Sequence, residues 1–172
     1  MPSPEPDSLL KMALGGTVEP FPWQRRLLRH FLDGALPASL DLPTGLGKTS
    51  VMAIWLVARA CGASHLPRRL VYVVDRRAVV DQATRVAEAL ATWVETTPTV
   101  KTALGVDALA VSTLRGRFID NRRWLEEPST PAIIVGTVDM IGSRLLFEGY
   151  GTSRRMRPYH AGFLGLDSLL VL

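Results

Sequence analysis

Residues 42–49 read Leu-Pro-Thr-Gly-Leu-Gly-Lys-Thr, a combination whose chemistry is the holding of phosphate. Gly45 and Gly47 permit backbone conformations that turn successive amide groups inward, and such a nest at the start of a helix binds a β-phosphate. Lys48 has the reach to bridge the β- and γ-phosphates, and the Thr49 hydroxyl can ligate Mg²⁺. The first glycine of the usual G-x-x-x-x-G-K-[ST] pattern is absent, with Leu42 in its place. The context still fits, because a short apolar run precedes the loop and a long apolar helix pattern follows it. These residues predict a nucleoside triphosphate site, with Lys48 and Thr49 at the chemistry and Thr44, Gly45, Leu46, Gly47, Lys48 and Thr49 around the phosphates.

Two further groups could serve such a site. In "EPFPWQRRLLRHF" Gln24 lies 24 residues before Lys48, beside Phe21 and Trp23. An amide can pair with the adenine edge and an aromatic ring can stack on it, which would favour ATP. The same stretch also fits a plain amphipathic core helix through Trp23, Leu27, Leu28 and Phe31. The second group is the arginines, which come in local clusters while the chain holds only three lysines. In a parallel sheet every strand ends on one edge, so the segments "PTGLGKT", "DRRAVVDQ", "STLRGR" and "GTVDMIGSR" should line one rim. Arg76, Arg77, Arg115, Thr137, Ser143 and Arg144 are then placed to track a phosphodiester backbone without reading bases. Alternatively, these arginines are solvated helix-start positions.

The elements that must position these residues follow from the hydrophobic pattern. "ASLDL" before the loop, "RLVYVVD" at 69–75, "DALAVST" at 107–113 and "PAIIVGT" at 131–137 lack polar alternation, as strands buried on both faces of a parallel sheet do. "SLLVL" at 168–172 reads as a fifth buried strand. Between them, "GKTSVMAIWLVARA", "RRAVVDQATRVAEALATWVE" and "VDMIGSRLLF" carry helical spacing, whereas "TTPTVKTALG" reads as a loop and "NRRWLEEPSTP" as a loop with at most one helical turn. Strand and helix in alternation predict an α/β fold: a P-loop domain with a mostly parallel sheet flanked by helices. The expected organisation is a flexible N-terminal segment over 1–17 and one domain over 18–172.

Composition narrows the class. The chain has 172 residues, 47% hydrophobic and 21% charged, with a formal charge of +4, which suits one soluble domain able to bind a polyanion. One cysteine, Cys61, rules out an internal disulfide framework. The longest apolar stretch falls short of the roughly 20 residues needed to span a bilayer, and a cytoplasmic protein without a membrane partner is expected.

Taken in order and spacing, "PFPWQRRLLRHF", "LPTGLGKTS", "VYVVDRRAVVDQA", "VSTLRG" and "VGTVDMIGSRLLFEGYG" resemble the first RecA-like motor domain of superfamily 2 helicases. More narrowly, the last of these together with "YHAGFLGLDSLLVL" resembles the helicase-nuclease of type I CRISPR interference, over residues 18–172. The resemblance implies an adenine-reading role for Gln24, and single-stranded DNA contacts from Arg76 and Arg77 and from Thr137, Asp139, Ser143 and Arg144. It implies ATP and Mg²⁺ as cofactors, translocation on DNA, recruitment by a crRNA-guided complex, and a second motor domain and a nuclease domain as partners. In that family a strand like "SLLVL" leads into an Asp-Glu-Ala-His box, none of which appears in residues 1–172. The chain is therefore expected to bind ATP and DNA but hardly to hydrolyse ATP or unwind DNA alone. A small P-loop kinase and a non-enzymatic interaction module are the competing readings.

Overall fold

The computed structural model describes residues 5–115, 118–119, 123–149 and 151–172. Its centre is a sheet of strands β1 (Arg69–Val74), β2 (Ala110–Arg115), β3 (Phe118–Ile119), β4 (Ala132–Thr137) and β5 (Ser168–Val171), in the order β3-β2-β4-β1-β5. β2, β4, β1 and β5 run parallel, and β3 lies antiparallel against β2. The expected mostly parallel α/β sheet is therefore present.

The lack of polar alternation in the strands has a direct cause. Leu70, Val74, Val111, Ile133 and Val135 face one layer of helices, while Val71, Val73, Leu114 and Ile134 face another. Both sides of the sheet must then be apolar. The first layer holds α1 (Pro6–Ala13), α2 (Pro22–Leu32), α3 (Val51–Ala60), α4 (Arg77–Thr96) and α5 (Pro98–Leu104). The second holds α6 (Arg123–Glu126), α7 (Val138–Leu145) and α8 (Arg157–Gly165). α3 buries every residue from Val51 to Ala58, because it is packed against α1, α2 and α5 as well as lying within the core. That enclosure is why its sequence is apolar all round.

Several expectations are corrected. In place of a flexible segment over 1–17, residues 6–13 form α1, whose Leu9 and Leu10 are buried against α3. Two buried leucines at one helix face suffice to dock a short element that propensity alone would leave marginal. "ASLDL" forms no strand. The run is bounded by Pro37 and Pro43 and places Ser39 and Asp41 where a doubly buried strand needs apolar side chains; residues 38–41 are exposed. β5 is an edge strand and only half-buried, with Leu170 at 41% exposure. "TTPTVKTALG" contains α5, started by Pro98 and ended by Gly105 at φ 67°, the proline-first, glycine-last pattern of a short helix. α8 was not foreseen, since Gly162 and Gly165 blur its periodicity.

β5 is fastened at its start by Asp167. Arg68 donates its backbone N–H to the Asp167 carboxylate at 3.1 Å and forms an ion pair with it. Arg69, buried, donates to the carbonyls of Leu166 at 2.9 Å and Pro128 at 2.8 Å. Burial pushes the Asp167 carboxyl up, but the Arg68 hydrogen bonds and the charges of Arg68 and Arg69 outweigh it and hold it below its ordinary value. A depressed carboxylate stabilises the fold above its unfolded pKa, near 3.9, and loses that contribution as pH falls through the folded value. Because the pair is half-exposed, Asp167→Asn should cost only about 0.5–1 kcal/mol at pH 7. Denaturant unfolding of both forms should show that difference constant above about pH 5 and shrinking below pH 4. Asn keeps the left-handed backbone (φ 55° at Asp167) without added strain.

Candidate nucleotide and nucleic-acid site

The phosphate loop has the backbone its sequence demands. Gly45 and Gly47 sit at φ 87° and 67°, where a side chain would cost about 1–2 kcal/mol. A short 3₁₀ turn, Lys48–Ser50, leads directly into α3. Amide groups at the start of that helix carry partial positive charge suited to phosphate. Thr44, Gly45, Gly47 and Lys48 are exposed, and Leu46 and Thr49 are half-buried.

The loop forms a ridge between two hollows. On one side a cleft of about 1090 Å³ is lined by Gly47, Thr49, Ser50, Gln24 and Phe21, with Gln82, Val86 and Trp93 of α4 opposite. On the other, Lys48 shares a groove of about 330 Å³ with Leu42, Tyr72 and Leu169 to Leu172. The groove places Lys48 at the carboxyl end of β5, the edge from which the segments after β1, β2 and β4 also leave. Lys48 and Thr49, neighbours in one 3₁₀ turn, thus line different hollows. No cluster of three His, Cys, Asp or Glu able to hold a metal exists among the described residues.

Gln24 is positioned more tightly than the sequence foretold. It is 4% exposed; its Oε1 accepts from the Phe21 backbone N–H at 2.8 Å and its Nε2 donates to Ser50 Oγ at 2.7 Å. The amide therefore caps its own helix and ties α2 to the residue directly after the Lys-Thr pair. Half of its hydrogen-bonding capacity is spent on the protein, leaving one N–H and one lone pair. Sequence reading missed Ser50, whose only signal was its place next to Thr49.

Along the carboxyl edge, Val74 pairs in register with Thr137, and Leu114 with Gly136. Arg76 follows β1 with its side chain 81% exposed, 3.7 Å from Asp75. Arg77 opens α4, whose first turn contains no acidic residue, so the positive end of that helix is reinforced rather than neutralised. Arg115 ends β2 and is ion-paired with Asp81 of α4. Thr137, at 7% exposure, precedes α7, and Asp139 lies in its first turn.

Arg144 departs from the expected set. It is fully buried and donates from Nη1 to the Met140 carbonyl at 2.8 Å, and burial pushes its guanidinium below the ordinary value. The reason is helical phase: Arg144 sits one turn after Met140 and next to Ile141 on the inward side of α7, so it cannot meet a phosphate on the rim. Ser143 is half-buried and turns its hydroxyl back to the Met140 carbonyl at 3.4 Å. The rim therefore brings together Arg76, Arg77 and Arg115, with Thr137 at its base, and leaves out Arg144.

Residues 17–157 match the family described as type III restriction enzyme, res subunit. The chain belongs to that family. No curated protein and no solved structure matches it. The type III res-subunit family places the chain in the superfamily 2 helicase-like class as a first domain, and its matched span contains Gln24, the phosphate loop and the arginine rim. A helicase-like domain of this kind implies nucleotide and nucleic-acid binding. Among the described residues no helix is long and apolar enough to cross a membrane.

Proposed function

We propose that residues 18–172 form the first RecA-like domain of an ATP-driven nucleic-acid motor. Lys48, Thr49 and the amides of Thr44 to Gly47 hold ATP with Mg²⁺, Gln24 and Phe21 border the base, and Arg76, Arg77 and Arg115 contact the backbone of single-stranded DNA. The observation that carries this reading is the left-handed Gly45 and Gly47 loop at the head of α3, beside the strand edge that presents the arginines. Positioned amides and charges are what phosphoryl-transfer proteins contribute to chemistry.

The narrower assignment, to the helicase-nuclease of type I CRISPR interference with a crRNA-guided complex as recruiter, rests on the resemblance of "VGTVDMIGSRLLFEGYG" and its neighbours alone. In such motors the hydrolytic step also draws on a second motor domain, so binding is the property to measure first.

The test is equilibrium binding of a fluorescent ATP analogue with Mg²⁺, with and without a single-stranded oligonucleotide. Saturable, Mg²⁺-dependent binding whose affinity changes with DNA is expected, since coupling between two sites is reciprocal. A folded chain that binds neither ligand would overturn the proposal, and phosphorylation of an added nucleoside would transfer it to the kinases.

A further inference from the structure

We propose that Trp93 is the base-holding residue of the nucleotide site: its indole is the wall on which the ring of a bound nucleoside triphosphate stacks, opposite Phe21. This deepens the reading of the phosphate loop and rests on it. Three elements share the cleft of about 1090 Å³: the loop at Gly47 and Thr49, the start of α2 at Phe21 and Gln24, and one face of α4 across from both. The phosphates need the first of these, which leaves the α4 wall to be explained.

That wall has an order along its length. Gln82, Arg85, Val86, Ala89 and Trp93 recur at helical spacing, so a single face of α4 supplies them. α4 begins just after β1, at the sheet edge that the loop occupies. Arg85 therefore comes first, and Trp93 follows two turns later, about 12 Å along the axis. Arg85 is exposed and has no carboxylate partner among the described residues. The carboxylate in the lining, Glu19, is already engaged by Lys11 and Arg25. A triphosphate entering beside the loop thus meets positive charge, with an apolar and aromatic surface beyond it.

Trp93 is itself unspent. It is half-buried, packing on the larger core cluster while it lines the cleft. Among the described residues it stacks on no other ring, and its Nε1 has no hydrogen-bond partner. Packing alone holds the indole, and no bond opposes its turning onto a ligand. Helical side chains lean toward the amino end, so the indole lies over the turn of Ala89, which is exposed and ends at its Cβ. The space beside the ring is therefore open. Phe21, 43% exposed, borders the same cleft from the other side. Two aromatic walls suit a flat ring, since every nucleobase has a π-face that stacks on such side chains.

The experiment measures the affinity of ATP and of inorganic tripolyphosphate, each with Mg²⁺, by calorimetric titration of the full chain. Tripolyphosphate offers the phosphates without the ring, so ATP alone should report on Trp93. Trp93→Ala should weaken ATP binding about 5- to 150-fold and leave tripolyphosphate at its wild-type affinity. Trp93→Phe keeps a ring and should recover most of the loss. If the Ala form does not fold, Ala89→Leu decides: it fills the space beside the indole from an exposed helix position that accepts Leu readily, and should weaken ATP binding alone. Unchanged ATP affinity in a folded variant, or an equal loss for both ligands, overturns the role of Trp93 while the phosphate loop stands. A wild-type chain that binds neither ligand overturns the loop reading, and the base site with it.

Discussion

Lys48→Ala should weaken ATP binding about 10- to 100-fold while leaving the melting temperature unchanged. The ammonium would make charge-assisted bonds to two phosphate groups, and bonds of that kind contribute about 1.5–3 kcal/mol, with 1.4 kcal/mol corresponding to a factor of ten. The unfolding temperature should not move because Lys48 is exposed and replaces no core contact. Lys48→Arg should recover only part of the affinity, since a planar guanidinium does not fit where a compact point charge is required. DNA affinity measured without nucleotide should be that of the wild type. Calorimetric titration with ATP and Mg²⁺ separates these outcomes. An alanine variant with undiminished affinity would mean that ATP is held without Lys48, and the role assigned to that lysine would fall.

What the sequence disclosed and what it hid divide along a physical line. β1, β2 and β4 were legible because strands buried on both faces leave unbroken apolar runs, and the phosphate loop because left-handed backbone restricts the choice to glycine. The faces of short elements were not legible. Arg144 looks like a surface cation in "GSRLLF", and only the packing of α8 against α7 decides that its side of the helix points inward. Leu9 and Leu10 in α1 are too few to signal a helix by periodicity, yet they find α3 and bury. Residues 38–42 failed in the opposite sense: Leu40 and Leu42 imitate a strand, but the flanking prolines and Asp41 keep the run out of the sheet. The Gln24–Ser50 and Asp81–Arg115 pairs join residues 26 and 34 positions apart, and no local pattern marks either. The residue types at the site could thus be read from the chain, whereas their partners required the fold.

Trp55→Ala should be the most destabilising single change that still touches function. Trp55 is fully buried near the middle of α3, in the larger core cluster, and its Nε1 donates to the Pro67 carbonyl at 3.0 Å, just before β1. Truncating a buried Trp typically costs about 3–5 kcal/mol, a large part of the 5–15 kcal/mol that holds a domain together. For a chain of this size each kcal/mol is worth about 2–4 °C, so the melting midpoint should fall by roughly 6–20 °C. Trp55→Phe keeps most of the volume and loses the bond, leaving the Pro67 carbonyl unpaired at a cost of about 1–3 kcal/mol. Trp55 lines neither hollow beside the glycine loop, yet α3 carries that loop at its head. Loosening α3 should therefore weaken ATP binding, and saturating ATP should restore stability in return. At 100 times the dissociation constant that restoration is about 2.7 kcal/mol. Thermal melts of the Phe and Ala variants across an ATP series would read both effects together. A variant that melts early yet binds ATP with the wild-type dissociation constant would show that the loop and the core of α3 are uncoupled, and that the enclosure of α3 serves the fold alone.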